Sequence, residues 1–175
     1  MNALMHGPEI TLDALLFSRE RRAEYQKILL EGYGWPLISL TVNMPGPIKR
    51  SAMARGIFDA GVLALREKLA GSVRYLKTRD YPTGFEGFFV VEMDARALKT
   101  VTCRIEESHP LGRLLDMDVL DVDGRILGRA DIGLEARRCM VCGAPGPGCA
   151  RSRAHGLDEL GAAVAAIWQR WTEGQ

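Results

Sequence analysis

Two aspartates separated by one residue, Asp116 and Asp118, are the groups in this chain best suited to do chemistry. They lie in the stretch His109-Pro110-Leu111-Gly112-Arg113-Leu114-Leu115-Asp116-Met117-Asp118-Val119-Leu120. On a β-strand, side chains two positions apart point to the same face. Carboxylates paired in this way can share a magnesium ion, since hard cations take oxygen ligands and magnesium fills its shell with substrate phosphates and water. Met117 and Val119 would then turn toward a core. Just upstream, Gly112 lets the backbone approach a phosphate closely and Arg113 can neutralise it. The plain alternative is a solvated pair of acids on an exposed strand.

A second set of residues suits a different ion. Cys139-x-x-Cys142, Cys149 and His155 combine three thiols and one imidazole, the ligand types of tetrahedral zinc. Gly143, Pro145, Gly146, Pro147 and Gly148 permit a tight loop between the halves. All four ligands would come from the protein, so such a site would be structural and would pin the last helix to the sheet. A reduced, metal-free loop is the other reading. A thioredoxin-like redox pair fits poorly, because the motif does not follow a strand to open a helix. Cys103 falls within a predicted helix and reads as an ordinary buried thiol. Arg137, Arg138, Arg151 and Arg153 surround the loop and could meet an acidic partner, a cofactor's phosphates or only solvent.

The elements that must position these groups follow from pattern and punctuation. Thr11 caps a helix predicted to Glu31, with Gly32 and Gly34 as its stop. Leu37 to Val42 is a short β-rich run after Pro36, and Met44-Pro45-Gly46-Pro47 forces a loop. Ser51 to Ala70 has apolar residues at helical spacing. Val73–Thr78 and Gly87–Glu92 read as strands joined around Tyr81-Pro82-Thr83-Gly84. Asp94 caps a third helix to about Glu107, ended by His109-Pro110. Met117 to Val122 is a strand that Asp116 begins, and Asp123-Gly124 turns it into Arg125–Leu127. The last helix runs from Leu157 to Trp171. This order predicts an α+β fold, residues 1–175 forming one domain around a single mixed or antiparallel sheet.

Composition narrows the partners. The 175 residues carry 23 basic and 22 acidic side chains, a net charge of +1, which argues against a protein built mainly to bind nucleic acid. No apolar run reaches the length of a membrane span, and the first nine residues lack the pattern of a secretory signal. The expected compartment is the cytosol, where the four cysteines stay reduced.

Several segments together resemble the citrate lyase holo-acyl-carrier-protein synthase family, also called apo-citrate lyase phosphoribosyl-dephospho-CoA transferase. They are Pro45-Gly46-Pro47-Ile48-Lys49, the stretch from His109 to Val119, Arg137-Arg138-Cys139-Met140-Val141-Cys142, and Cys149-Ala150-Arg151 leading to His155. The resemblance implies attack by a serine of the citrate lyase acyl-carrier subunit on the α-phosphate of triphosphoribosyl-dephospho-CoA, with pyrophosphate leaving. The glycine followed by Asp-x-Asp is similar to the nucleotidyltransferase pattern, although Arg113 stands where that pattern carries serine. In this frame Asp116 and Asp118 hold magnesium, while Gly112, Arg113 and Lys49 contact phosphate. His109 could act as base, since its ordinary pKa lies near neutrality. Lys49 could equally be a surface lysine, His109 a helix-ending cap, and Asp131 either a third carboxylate or a turn cap. Two other functions stay open: a zinc-containing adaptor without catalysis, and a nucleotidyltransferase acting on an ordinary nucleoside triphosphate.

Overall fold

The computed structural model describes residues 5–174. Helix α1 spans Leu12–Tyr33; Thr11 Oγ1 accepts the Ala14 N–H at 3.2 Å and so satisfies one of the donors left open at a helix start. The helix runs through Gly32 and ends two residues later than predicted. Gly34 alone takes the left-handed conformation that stops it, at φ 66°. Strand β1 is Leu37–Val42, as predicted. Helix α2 (Ala52–Lys68) is capped by Ser51, and α3 (Ala95–Ser108) by Asp94, whose Oδ1 accepts the N–H groups of Arg96 and Ala97 at 3.0 Å.

Strands β2 (Val73–Tyr81) and β3 (Gly84–Val91) continue to a two-residue turn at Pro82-Thr83, well beyond their predicted ends. The missed part contains Arg79, Asp80 and Glu86, which read as loop residues. Arg79 belongs to a strand because its guanidinium lies 3.6 Å over the Tyr25 ring of α1, with the stem covering apolar surface. Strand β4 is Leu115–Leu120 and β5 is Ile126–Leu127. A short helix not foreseen in the glycine-rich loop, α4 (Gly146–Ser152), precedes the last helix, α5 (Leu157–Glu173).

The sheet order is β2-β3-β1-β4-β5, and every pairing is antiparallel. One face buries Leu37, Phe88, Val90 and Leu120 against Leu29 and Leu30 of α1. The other buries Ile38, Leu40, Phe89, Met117 and Val119 against α2, α3 and α5. Phe88 and Phe89, on opposite faces of β3, are both fully buried, and each contributes about 2 kcal/mol relative to exposure. Close packing of α5 on α2 depends on Gly56: a Cβ there would lie 2.4 Å from the Trp168 ring. Among the described residues, no helix is long and apolar enough to cross a membrane.

Candidate functional site

Strand β4 alternates as its sequence requires. Leu115, Met117 and Val119 are buried in the layer of α2 and α3, while Asp116 is exposed and Asp118 half-buried on the opposite face. The neighbouring strand sets Thr41 beside Asp116 and Ser39 beside Asp118, with Thr41 Oγ1 3.5 Å from Asp116 Oδ2. Helix α1 packs on β1 and β3, so the middle of β4 stays open beside it. Burial first, and then the neighbouring Asp116 charge, push the Asp118 carboxyl above its ordinary range, against the opposing charges of Lys99 and Arg22. Two close acids with too little positive charge around them favour a cation between them.

Arg22 comes from α1, a helix in which the sequence reading singles out no charged residue. It is half-buried, and its Nη1 lies 3.9 Å from Glu86 Oε1. Glu86 is only 3% exposed; the same oxygen accepts the Ser18 hydroxyl at 3.3 Å and lies 3.7 Å from Arg21 Nη2. Its Oε2 and Arg21 Nε are buried without hydrogen-bond partners. A signal was available: a single acid within the apolar run Gly84–Val91 must find cations once that strand is buried.

The other predicted residues divide between two places. Lys49 is half-buried near the β2–β3 turn, where Gly84 packs against it, and its ammonium donates to the Met44 carbonyl. Burial, followed by the charge of Arg19 on α1, lowers its pKa. Arg113 sits in the turn before β4 and donates to the Arg138 carbonyl. Burial and the nearby Arg137 hold its pKa below the usual arginine value.

His109 and Gly112 lie with Arg113 around the end of α3, where His109 and Arg113 line one hollow with Glu106 and Glu107. His109 Nδ1 accepts the Leu111 N–H at 3.0 Å, closing the end of α3, and burial lowers its pKa. The Gly112 N–H donates to the His109 carbonyl at 2.8 Å, and a Cβ at 112 would meet the Glu106 carbonyl oxygen at 2.4 Å. Packing against α3 therefore accounts for this glycine without a phosphate. Asp131 caps a turn: its carboxylate accepts Gly128 N–H at 2.7 Å and Arg125 Nη1 at 2.9 Å.

The ligand atoms of Cys139, Cys142, Cys149 and His155 all lie within 4.8 Å of one another. The loop is wound to bring them there. Gly143, at φ 73°, donates its N–H to the Cys139 carbonyl, and the left-handed Arg153 (φ 49°) turns the chain after α4. N–H groups of Cys142 and Val141 aimed at the Cys139 sulfur push its thiol down to about 6. Its partners at the other sulfurs push Cys149 up to about 11. The Cys142 and Cys149 sulfurs are 3.5 Å apart. Tetrahedral zinc with sulfur at about 2.3 Å would set them about 3.8 Å apart. His155 Nε2 is buried and has no hydrogen-bond partner, as an imidazole waiting for a metal would. Arg137 anchors the loop to the sheet through the carbonyls of Gly112, Arg113 and Leu115.

Between this loop and α5 lies a cleft of about 1070 Å³, bordered by Asn43, Arg113, Leu134, Met140, Leu157 and Leu160 among others.

Comparison with known proteins adds the following. Residues 10–171 match the family model described as apo-citrate lyase phosphoribosyl-dephospho-CoA transferase. The chain is similar to a Citrobacter koseri protein named apo-citrate lyase phosphoribosyl-dephospho-CoA transferase, 43% identical over 86% of this chain and 84% of that protein. A Vibrio cholerae serotype O1 protein, named as a probable enzyme of the same kind, is 39% identical over 90% of this chain and 92% of its own length. An Escherichia coli O157:H7 protein with the unqualified name is 41% identical over 86% of this chain and 84% of its own.

Proposed function

Because the chain belongs to the apo-citrate lyase phosphoribosyl-dephospho-CoA transferase family, we propose that it moves the phosphoribosyl-dephospho-CoA group from triphosphoribosyl-dephospho-CoA to a serine of the citrate lyase acyl-carrier subunit. The serine oxygen forms a bond to the α-phosphorus, the bond to pyrophosphate breaks, and the serine proton is lost. The observation that carries the location is the open, same-face pair Asp116 and Asp118.

The donors there are carboxylate and hydroxyl oxygens, a set that fits magnesium rather than a softer metal. When bound, a divalent cation neutralises phosphate charge and stabilises charge developing on the transferred group. Asp116 and Asp118 would hold it. Arg22, whose charge reaches Asp118 from α1, would bind and orient phosphate oxygens there, with Lys49 and Arg113 as further phosphate contacts. The part of general base does not carry over to His109, whose Nδ1 is engaged in the α3 cap.

The four ligands around 139–155 would hold one structural zinc, with no open position for chemistry. A zinc adaptor without catalysis would leave the paired carboxylates unexplained. The setting we read for the reaction is the cytosol, in keeping with four free cysteines.

The test is direct. Purified protein, apo acyl-carrier subunit, magnesium and triphosphoribosyl-dephospho-CoA are mixed, and the intact mass of the carrier is measured. The expected result is a gain of one phosphoribosyl-dephospho-CoA; a carrier of unchanged mass at saturating donor sinks the proposal.

A further inference from the structure

The cleft beside the Cys/His loop has Asn43 and Arg113 on its border, at the end of the sheet where β1 stops and β4 starts. Asn43, on its border, lies two residues beyond Thr41, and its N–H donates to the Leu114 carbonyl at 2.8 Å, extending the ladder that pairs Thr41 with Asp116. At about 3.4 Å per residue, Asn43 lies about 7 Å along the sheet from the level of Asp116. Its volume, near 1070 Å³, suits a ligand larger than a bare nucleotide.

The walls differ from one another in chemistry. Leu157 is 61% exposed and Leu134 38%, and both border the cleft with Met140 and Leu160. Arg113 and Arg153 lie on the rim. Of the cleft's other arginines, Arg129 is paired with Glu106 and Glu107, and Arg137 with Glu106 and backbone carbonyls. Arg113 has no carboxylate partner among the described residues; it meets only a carbonyl, with Arg137 and Arg129 adding like charge nearby. An apolar wall with a cationic rim complements a molecule that is anionic at one end and carries a long, weakly polar arm.

Resting on the transferase reading above, we propose that this cleft binds the dephospho-CoA part of the donor. Its pantetheine arm lies against Leu134, Leu157 and Leu160, its diphosphate near Arg113, and the reacting phosphates beside Asp116. The Cys/His loop is thereby one wall of the donor site as well as a clamp on α5.

Dephospho-CoA itself, which lacks the reacting triphosphate, is the probe, titrated calorimetrically into the full chain. The wild type is expected to bind it, and Leu157→Glu to bind at least tenfold more weakly. That change should not disturb the fold, because an acid in the first turn of a helix is favourable and the side chain is already mostly exposed. Arg153→Glu, at a cationic lining residue of the same cleft, is expected to weaken binding in the same direction. Failure of the wild type to bind, or equal affinity in both variants, overturns the proposal even if the carrier still gains mass. Loss of affinity for the apo carrier alone in these variants also overturns it, in favour of a carrier-docking surface. If dephospho-CoA binding weakens as expected while no carrier is ever modified, the transferase reading fails and the binding site stands.

Discussion

The buried carboxylate of Glu86 lies 3.9 Å from the guanidinium of Arg22, and this pair links α1 to the face of the sheet that carries Asp116 and Asp118. Glu86 holds the cationic side of α1 in place and leaves Arg22 beside the aspartates without a hydrogen bond of its own among the described residues. Arg22→Ala should therefore lower kcat/KM for carrier modification by about 100-fold, the usual effect of losing one preorganised charge donor. Its thermal midpoint should shift little, because the side chain is partly solvated. Glu86→Ala should do the reverse: it strands Arg21 and Arg22 near a buried surface, and stability should fall by about 2 kcal/mol. Rates and denaturant curves on the two variants separate the roles, and equal loss of stability in both would refute the assignment.

Asp116→Asn and Asp118→Asn should each abolish transfer. Neither should unfold the metal-free protein. Removing one of two neighbouring negative charges relieves repulsion, so Asp118→Asn should leave the apo form at least as stable as the wild type. Carrier mass and a urea titration on the same preparation decide this, and retained turnover in either variant removes the carboxylate account.

His109 gives a pH prediction. Its folded pKa is lowered, so the unfolded chain takes up the proton first as pH falls. The stability contributed by the neutral ring is fully present above the unfolded value, about 6.5, and is lost as pH falls from there toward the folded value. His109→Gln should remove this slope, should cost about 1 kcal/mol at pH 8 through the lost Leu111 bond, and should retain transfer. A variant inactive at every pH, yet fully folded, would restore the histidine as a catalytic base.

Metal analysis should find one zinc per chain. Stripping it with a chelator should release Cys139, Cys142 and Cys149 to a thiol reagent, while Cys103, fully buried on the inner face of α3, should react only on global unfolding. The dephospho-CoA affinity should drop in the same step, because the loop borders the cleft. Four equally reactive thiols in untreated protein would dismiss the zinc.

Local signals in the sequence were enough for the parts of the fold that local chemistry decides. Thr11, Ser51 and Asp94 all cap the helices they were expected to start, and β1 has its expected limits. The same-face placement of Asp116 and Asp118 follows from strand alternation and needs no tertiary knowledge. What escaped depends on contacts between distant segments. The reach of β2 and β3 rests on Arg79 finding Tyr25, and the place of Arg22 on Glu86, 64 residues away in sequence (86 minus 22). Gly112 was read as a phosphate-approach residue because nothing local reveals that the carbonyls of α3 crowd it. Helix α4 hid behind five glycines and prolines whose composition signals a loop.

The contact between Gly56 and Trp168 works as a fulcrum. Trp168 lies 11 residues along α5 from Leu157 (168 minus 157), about 17 Å of helix. One methyl group at position 56 would push the indole away from α2 and tilt the far end of the rod, which carries Leu157 and Leu160. A neutral change deep in the helical layer, touching neither phosphate nor metal, would thus reset the width of the opening that admits the donor.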